Sequence, residues 1–448
     1  MNPYNKTKSW QEMQEEYFKN KKTKKTVFKK IIVLSLILFI AFIIVLSVFF
    51  TIITLLKTNI DINNNSQKSL EEVTQKKKLS KKDLNKIISD INLIKTNQNT
   101  FAVNNSDNQY LIKTSIDKDL QGYLLSSIDK LKALSRSKPE KIAFVVIEAN
   151  TGRIIAMTGF DINKPSSNPC LNSEYPAASL FKIITAAAAI ESLNYTPNTL
   201  LTFNGGKYTL YKNQLKNIKN KYTNKISFIN SFAESINPVF GKIGNTYLGA
   251  KRLEQYAKSF GFNKEINSDI SFFSGNFKTN SNNYHLAELS SGFNNDTTIS
   301  PVFASMLSSA IINEGKIIEP SIVDYMKTND GIIIYDNNKN IAQTAITSKT
   351  ATTMIKLMRK TILKGTARNS FKEKNKDKIL SKLLIGGKTG SLFNKKHTIK
   401  YDWFTGFAKD KKTKKKIALS IVVGHGEYIG KRAATYAKEI IKKHFQSN

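Results

Sequence analysis

The sequence predicts an α/β fold of the α+β kind: a five-stranded antiparallel sheet flanked by helices, with an inserted all-helical subdomain, behind a single N-terminal transmembrane helix. Three observations predict it. Residues 31–56 form an uncharged run dense in Ile, Leu, Val and Phe. Two short apolar runs at 142–147 and 153–157 flank the turn Asn150-Thr-Gly152. Three further strand-like runs, at 383–390, 399–408 and 416–424, come only after a long stretch of mainly helical and loop sequence.

The first run, at about 1.5 Å per residue, exceeds a hydrocarbon core of roughly 30 Å. It continues into Lys57-Thr-Asn-Ile60 with no small-residue cleavage site, so it reads as an uncleaved anchor. Before it stand Lys6, Lys8, Lys19, Lys21, Lys22, Lys24, Lys25, Lys29 and Lys30 against Glu12, Glu15 and Glu16. The positive-inside rule then leaves a basic tail (1–30) in the cytoplasm and carries everything after the span across the cell membrane. Residues 57–112 read as a polar linker. It holds one amphipathic helix, marked by Leu84, Ile87, Ile88, Ile91 and Ile94 at spacings of three and four.

The domain proper is expected over 113–448. Leu120, Leu124, Leu125, Ile128 and Leu131 mark a helix that ends before Pro139. The two runs around Gly152 make a hairpin. From Ala177 to Leu193 an alanine-rich segment predicts a helix packed deep in the core. The block from 194 to 370 is expected to be helices and loops. An amphipathic helix over 432–445 closes the chain. Two strands or three strands alone are marginal, so the early and late strands are expected in one sheet, with a site where it meets the helical block.

Composition narrows the function. The 448 residues carry 69 basic and 34 acidic side chains, a formal charge of +35. The lysines are spread along the chain with no aromatic-interleaved stripe, so no nucleic-acid groove is expected. Cys170 is the only cysteine, which excludes an intrachain disulfide and a thiolate metal site. His285, His397, His425 and His444 show no ligand spacing, and no metal or organic cofactor is expected.

Three short motifs carry chemistry. In Ser179-Leu-Phe-Lys182, a serine and a lysine one helical turn apart can make a nucleophile and base. Spacing alone does not single it out, because Ser115/Lys118, Ser127/Lys130 and Ser135/Lys138 share it. Only Ser179 is followed by a buried-looking helix, Ile183-Ile-Thr-Ala-Ala-Ala-Ala189, that sets the lysine in an apolar place. Ser235-Ile-Asn237 is equally common as a pattern, since Ser106, Ser166 and Ser281 also precede an asparagine by two. Lys388-Thr-Gly390 occurs once, at the end of a predicted strand and just before Ser391. Gly390 would admit a substrate backbone at close range.

In that order the three motifs are those of penicillin-binding proteins and class A β-lactamases. The sequence resembles the transpeptidase domain of that superfamily from about residue 113 to the end. Thr114-Ser-Ile-Asp117, Glu148-Ala-Asn-Thr-Gly152, Phe260-Gly-Phe262, Gly365-Thr-Ala367 and Trp403-Phe-Thr-Gly-Phe407 also fall where family segments lie. The resemblance implies a β-lactamase/transpeptidase-like fold and a peptidoglycan D,D-transpeptidase working on stem peptides. Ser179 would be the nucleophile, Lys182 its base and Ser235 the proton relay to the leaving D-alanine. Asn237 would hold the peptide backbone, Lys388 supply positive potential, and Thr389 bind the terminal carboxylate. The N–H groups of Ser179 and Ser391 would form the oxyanion hole. β-Lactams would acylate Ser179.

Two departures bear on this. About fifty-five residues separate the span from the resemblance, too few for a glycosyltransferase domain or pedestal, so a separate glycan polymerase is an expected partner. Leu289-Ser-Ser-Gly-Phe293 stands where relatives carry a Gly-Gln-Gly-like run. The motifs are shared with D,D-carboxypeptidases, and non-enzymatic β-lactam-sensing receptors or scaffolds keep the fold. A class A β-lactamase would need a Glu-x-x-Leu-Asn pattern, which is absent, and a class D enzyme has Val where Asn237 stands.

Overall fold

The structure, a computed structural model, describes residues 9–75, 79–89, 91–105, 108–280, 282–338 and 341–446. The chain forms two compact units, Met1–Lys78 and Leu79–Asn448. In the first, helix α1 (Trp10–Gln75) is continuous, and its segment Phe28–Thr58 is long and apolar enough to cross a membrane. Within it the hydroxyls of Thr51, Thr54 and Thr58 each donate to a carbonyl one turn back, at 2.5 to 3.1 Å. In hydrocarbon they would have no other partner. Of the basic tail, residues 1–8 lie outside the described residues, Lys6 and Lys8 among them.

The second unit starts earlier than the sequence boundary at 113 suggests. Helix α2 (Lys81–Ile88) is capped by Ser80, whose hydroxyl accepts from the Asp83 N–H. Its Leu84 and Ile88, and the following Leu93 and Ile94, are buried. The helix is shorter than the periodicity predicts, because the chain turns after Ile88 while the apolar spacing continues. Strands β1 (Thr100–Asn105) and β2 (Asn108–Thr114) pair antiparallel, and their polar, Asn-rich sequence hides them from a strand search. Residues 79–112 thus belong to the second unit, and over 57–75 the backbone continues α1.

Helix α3 (Lys118–Lys132) leads to the hairpin of β3 (Lys141–Glu148) and β4 (Ile154–Asp161). A one-turn 3₁₀ helix, Ala178–Phe181, opens into α4 (Lys182–Leu193). The helical block then runs through α5 (Phe228–Ala233), α6 (Asn237–Lys242), α7 (Gly249–Phe260), α8 (Asn283–Ser291) and α9 (Pro301–Ile312). Strands β5 (Val323–Thr328) and β6 (Ile333–Asp336) precede α10 (Ser348–Lys364). Then come β7 (Leu383–Phe393), β8 (Lys400–Asp410), β9 (Lys416–His425) and α11 (Ala433–Gln446). The inserted block is thus mainly helical with short strands added. β5 joins β2 in a second sheet ordered β1-β2-β5-β6, and Leu200–Phe203 pairs with Asn224–Ser227.

The main sheet is five-stranded and antiparallel, in the order β7-β8-β9-β3-β4. Alternation splits β3 between two cores. Ala143, Val145 and Ile147 face the helical block with Trp403, Phe407 and Val422. Ile142, Phe144 and Val146 face α3 and α11 with Phe404, Leu419 and Ile421. Both faces are covered, which is why these strands read as unbroken apolar runs. α9 is buried along its whole length under the sheet. Its serines bond sideways instead of facing oil unpaired, as in Ser308 Oγ to Thr405 Oγ1 at 2.7 Å.

Candidate active site

The nucleophile candidate sits where the sheet meets the helical block. Ser179 lies in the 3₁₀ turn after Pro176, and Ala178 takes a left-handed φ of 48°. The indole N–H of Trp403 on β8 donates to the Pro176 carbonyl at 2.9 Å, and the Ala177 N–H donates to Thr297 O at 2.8 Å. Gly292, at φ 67°, backs directly onto the turn: a Cβ there would lie 1.9 Å from the Ala178 carbonyl oxygen. On the other side Gly390 of β7 closes in, its hypothetical Cβ 3.3 Å from the Ser179 nitrogen. The turn is held from several sides while Ser179 itself remains partly exposed.

Lys182 is wholly buried on the central helix α4. Its Nζ lies 2.7 Å from Ser179 Oγ, 2.8 Å from Asn237 Oδ1 and 2.5 Å from Ser291 O. The Asn237 amide is oriented by its other end, where Nδ2 donates to Tyr208 O at 2.9 Å. A neutral lysine has two N–H bonds and one lone pair. Donation to Asn237 Oδ1 and Ser291 O uses both N–H bonds and leaves the lone pair for the Ser179 hydroxyl proton. Burial, with the Lys388 cation second, holds the Lys182 pKa well below its ordinary value.

Lys388 on β7 is equally buried, and burial brings it to about 7. Its Nζ donates to Ser235 Oγ and to Thr389 O, each at 2.8 Å. The segment Ser235–Asn237 therefore serves both lysines, with the hydroxyl on Lys388 and the amide on Lys182. Ser235 takes φ 60°, a conformation that costs on the order of 1 to 3 kcal/mol and is held by the packed loop around it. The rings of Phe240 and Phe232 lie 5.7 Å and 5.6 Å from the two ammonium nitrogens and supply the apolar setting.

Of the eight predicted positions, Ser179, Lys182, Ser235, Asn237, Lys388, Thr389 and Gly390 converge here. Ser391 follows on β7, exposed and in register with Asp402. Three further contributors carry no readable signature. Ser291 O and Tyr208 O act as backbone acceptors, which have no residue identity. Thr366 forms a hydroxyl–hydroxyl hydrogen bond with Thr389, and its N–H donates to Ala233 O at 3.0 Å. The Gly365-Thr-Ala367 segment was its only hint. Among the described residues no group of three or more His, Cys, Asp or Glu is placed to hold a metal.

Comparison with known proteins places this arrangement. Solved structures of similar fold include penicillin-binding protein A from M. tuberculosis as an imipenem acyl-enzyme complex. It is 21% identical with a TM-score of 0.60, over 74% of this chain and 79% of that one. The D,D-transpeptidase domain of a peptidoglycan glycosyltransferase from Eggerthella lenta matches at 20% identity and TM-score 0.60, over 81% and 87%. The fold is thus the β-lactamase-like architecture of the penicillin-binding proteins. Residues 142–443 match the model of the penicillin binding protein transpeptidase domain, and the chain belongs to that family. Penicillin-binding protein 1A of Rickettsia conorii is 25% identical over 337 residues, 70% of this chain and 37% of the relative. The chain thus spans little more than a third of that relative's length.

Proposed function

We propose that this chain is a membrane-anchored peptidoglycan D,D-transpeptidase acting through an acyl-enzyme on Ser179. The observation that carries the proposal is the buried Lys182 amine 2.7 Å from Ser179 Oγ, with two other acceptors consuming its N–H bonds. Ser179 Oγ attacks the carbonyl between two D-alanines while Lys182 Nζ takes its proton. Charge on the tetrahedral oxygen is met by the N–H groups of Ser179 and Ser391. The C–N bond then breaks, and the departing amine receives a proton through Ser235, which Lys388 holds in place. Lys388, Thr389 and Asn237 bind the donor's carboxylate and backbone along β7, an edge strand of the sheet. The amine of a second stem peptide attacks the ester, returns its proton to the lysine–serine pair and forms the cross-link.

The anchor over 31–56 sets the topology we assign: tail in the cytoplasm, residues beyond the span outside. The strands to be cross-linked come from a glycan polymerase acting beside it, which co-purification from detergent extracts tests. Labelled penicillin should acylate the wild type at Ser179 and leave folded Ser179→Ala unlabelled; label elsewhere sinks the mechanism. A stem-peptide donor given with an amine acceptor should yield an amide. Release of D-alanine with no amide product would mark a D,D-carboxypeptidase instead.

A further inference from the structure

Between Glu191 and Glu234 the chain has no acidic residue, while Lys207, Lys212, Lys216, Lys219, Lys221 and Lys225 all fall there. Its middle part, residues 204–222, adds only Leu210 to the buried apolar core, yet it is firmly built. Its organiser is buried Gln214. That side chain donates to Asn204 O at 2.9 Å and Gly206 O at 3.2 Å, and accepts from Tyr211 N at 2.8 Å and Thr209 Oγ1 at 3.1 Å. Asn204 Nδ2 donates to Ile218 O at 2.9 Å, and the Tyr284 hydroxyl donates to Leu210 O at 2.6 Å. The result is a preformed cleft lined by Asn204, Thr209, Tyr211, Asn213, Asn220 and Tyr222. Asn204 Oδ1 is buried in that lining with no hydrogen-bond partner among the described residues.

The segment that forms the cleft is tied to the nucleophile. Tyr208 O accepts from Asn237, whose Oδ1 accepts from Lys182, which lies against Ser179, so three hydrogen bonds link this segment to the reacting hydroxyl. Tyr211 and Tyr222 are 62% and 71% exposed, and Lys221 Nζ lies 5.1 Å from the Tyr222 ring. Flat aromatic faces among amide and hydroxyl groups suit a ligand with C–H faces and ring substituents that donate and accept, which describes a sugar. Lys207 is paired with Glu234 at 2.6 Å; the other lysines of the stretch, Lys212, Lys216, Lys219, Lys221 and Lys225, suit a sugar polymer carrying carboxylates.

We propose that this cleft binds the N-acetylated amino-sugar backbone of the strand whose stem peptide enters the Ser179 site. Tyr211 and Tyr222 stack on sugar rings, the asparagines meet their amides and hydroxyls, and the lysines meet carboxylates of neighbouring stem peptides. This rests on the transpeptidase reading for its choice of polymer.

The test uses the full chain in detergent, as wild type and as Tyr211→Ala/Tyr222→Ala. Labelled penicillin should acylate both at equal rates, which reports folding and the Ser179 chemistry independently of the cleft. A peptide-free oligomer of β-1,4-linked N-acetylglucosamine, titrated by calorimetry, should bind the wild type and bind the variant about tenfold more weakly or not at all. Cross-linking of glycan-linked donors should fall about five- to tenfold in the variant, while turnover of a free stem peptide stays unchanged. An oligomer that does not bind the wild type overturns the proposal. So does an equal effect on glycan-linked and free substrates, or binding of inorganic polyphosphate in place of the oligomer with no loss in the variant. Absence of acylation in the wild type would instead strike the transpeptidase reading, with the oligomer titration still deciding the cleft.

Discussion

In the proposed mechanism Lys182 and Lys388 divide the electrostatic work at the residue level. There Lys182 must be neutral to accept a proton, so Lys182→Ala is expected to slow acylation by labelled penicillin by roughly 10²- to 10⁴-fold without unfolding the chain. Lys388 must be charged to attract a carboxylate, and its pKa of about 7 puts the loss of that charge within reach. Apparent affinity for a carboxylate-terminated donor should therefore fall as pH rises above 7, and Lys388→Met should give a lower, pH-independent value over that range. The sign for stability is opposite. The unfolded chain holds the Lys388 proton up to the ordinary 10.5 while the folded one releases it near 7, so this lysine makes stability rise with pH between those values. Thr366 shares its hydrogen bond with Thr389, so Thr366→Val should raise KM for such a donor about 2- to 10-fold with kcat little changed. An amide-terminated donor should be indifferent to the change. Gly292→Ala would drive a methyl into the Ala178 carbonyl and strain a positive φ, costing about 2–4 kcal/mol in thermal unfolding and slowing acylation with it.

At the scale of elements, α2 and the β1–β2 pair are structural members of the catalytic unit. Burying Leu84, Ile88, Leu93 and Ile94 contributes roughly 1.5–3 kcal/mol each, comparable in sum with the whole stability of a domain. Gln121 and Thr158 would also lose the carbonyls of Leu93 and Ile94 that they bond. A variant beginning at Leu79 should unfold cooperatively on heating, whereas one beginning at 113 should be insoluble or lack a thermal transition. The contrast shows what was legible in the sequence. Strands buried on both faces, such as β3, β8 and β9, announce themselves as apolar runs, and α4 announces itself through its alanines. β1 and β2 pair through backbone while carrying Asn and Lys, so composition marks them as spacer. The three motifs were readable because side-chain identity is what the chemistry needs; the carbonyls of Ser291 and Tyr208 were not, because any residue supplies them and only the fold brings them near. Leu289-Ser-Ser-Gly-Phe293, a departure from the family pattern, sets Gly292 against the nucleophile turn and offers the Ser291 carbonyl to Lys182.

For the whole molecule, a span over Phe28–Thr58 and a unit beginning at Leu79 predict a clean division of behaviour. The full chain should leave membranes only with detergent, while the variant beginning at Leu79 should remain in solution and still bind penicillin. The formal charge of +35 adds a salt dependence. Association with anionic cell-wall polymer should weaken as ionic strength rises, since exposed charges beyond about 10 Å are screened at 0.1 M. Acylation of the buried Ser179–Lys182 pair by penicillin should change far less.

The bond from Trp403 to the Pro176 carbonyl gives the protein a light of its own. The chain holds two tryptophans, and Trp10 belongs to α1. A variant beginning at Leu79 thus carries a single indole, fully buried and hydrogen-bonded two residues upstream of Ala178. Its emission reports on the core that carries the nucleophile turn, so unlabelled ligands could be followed in real time if acylation of Ser179 shifts that turn.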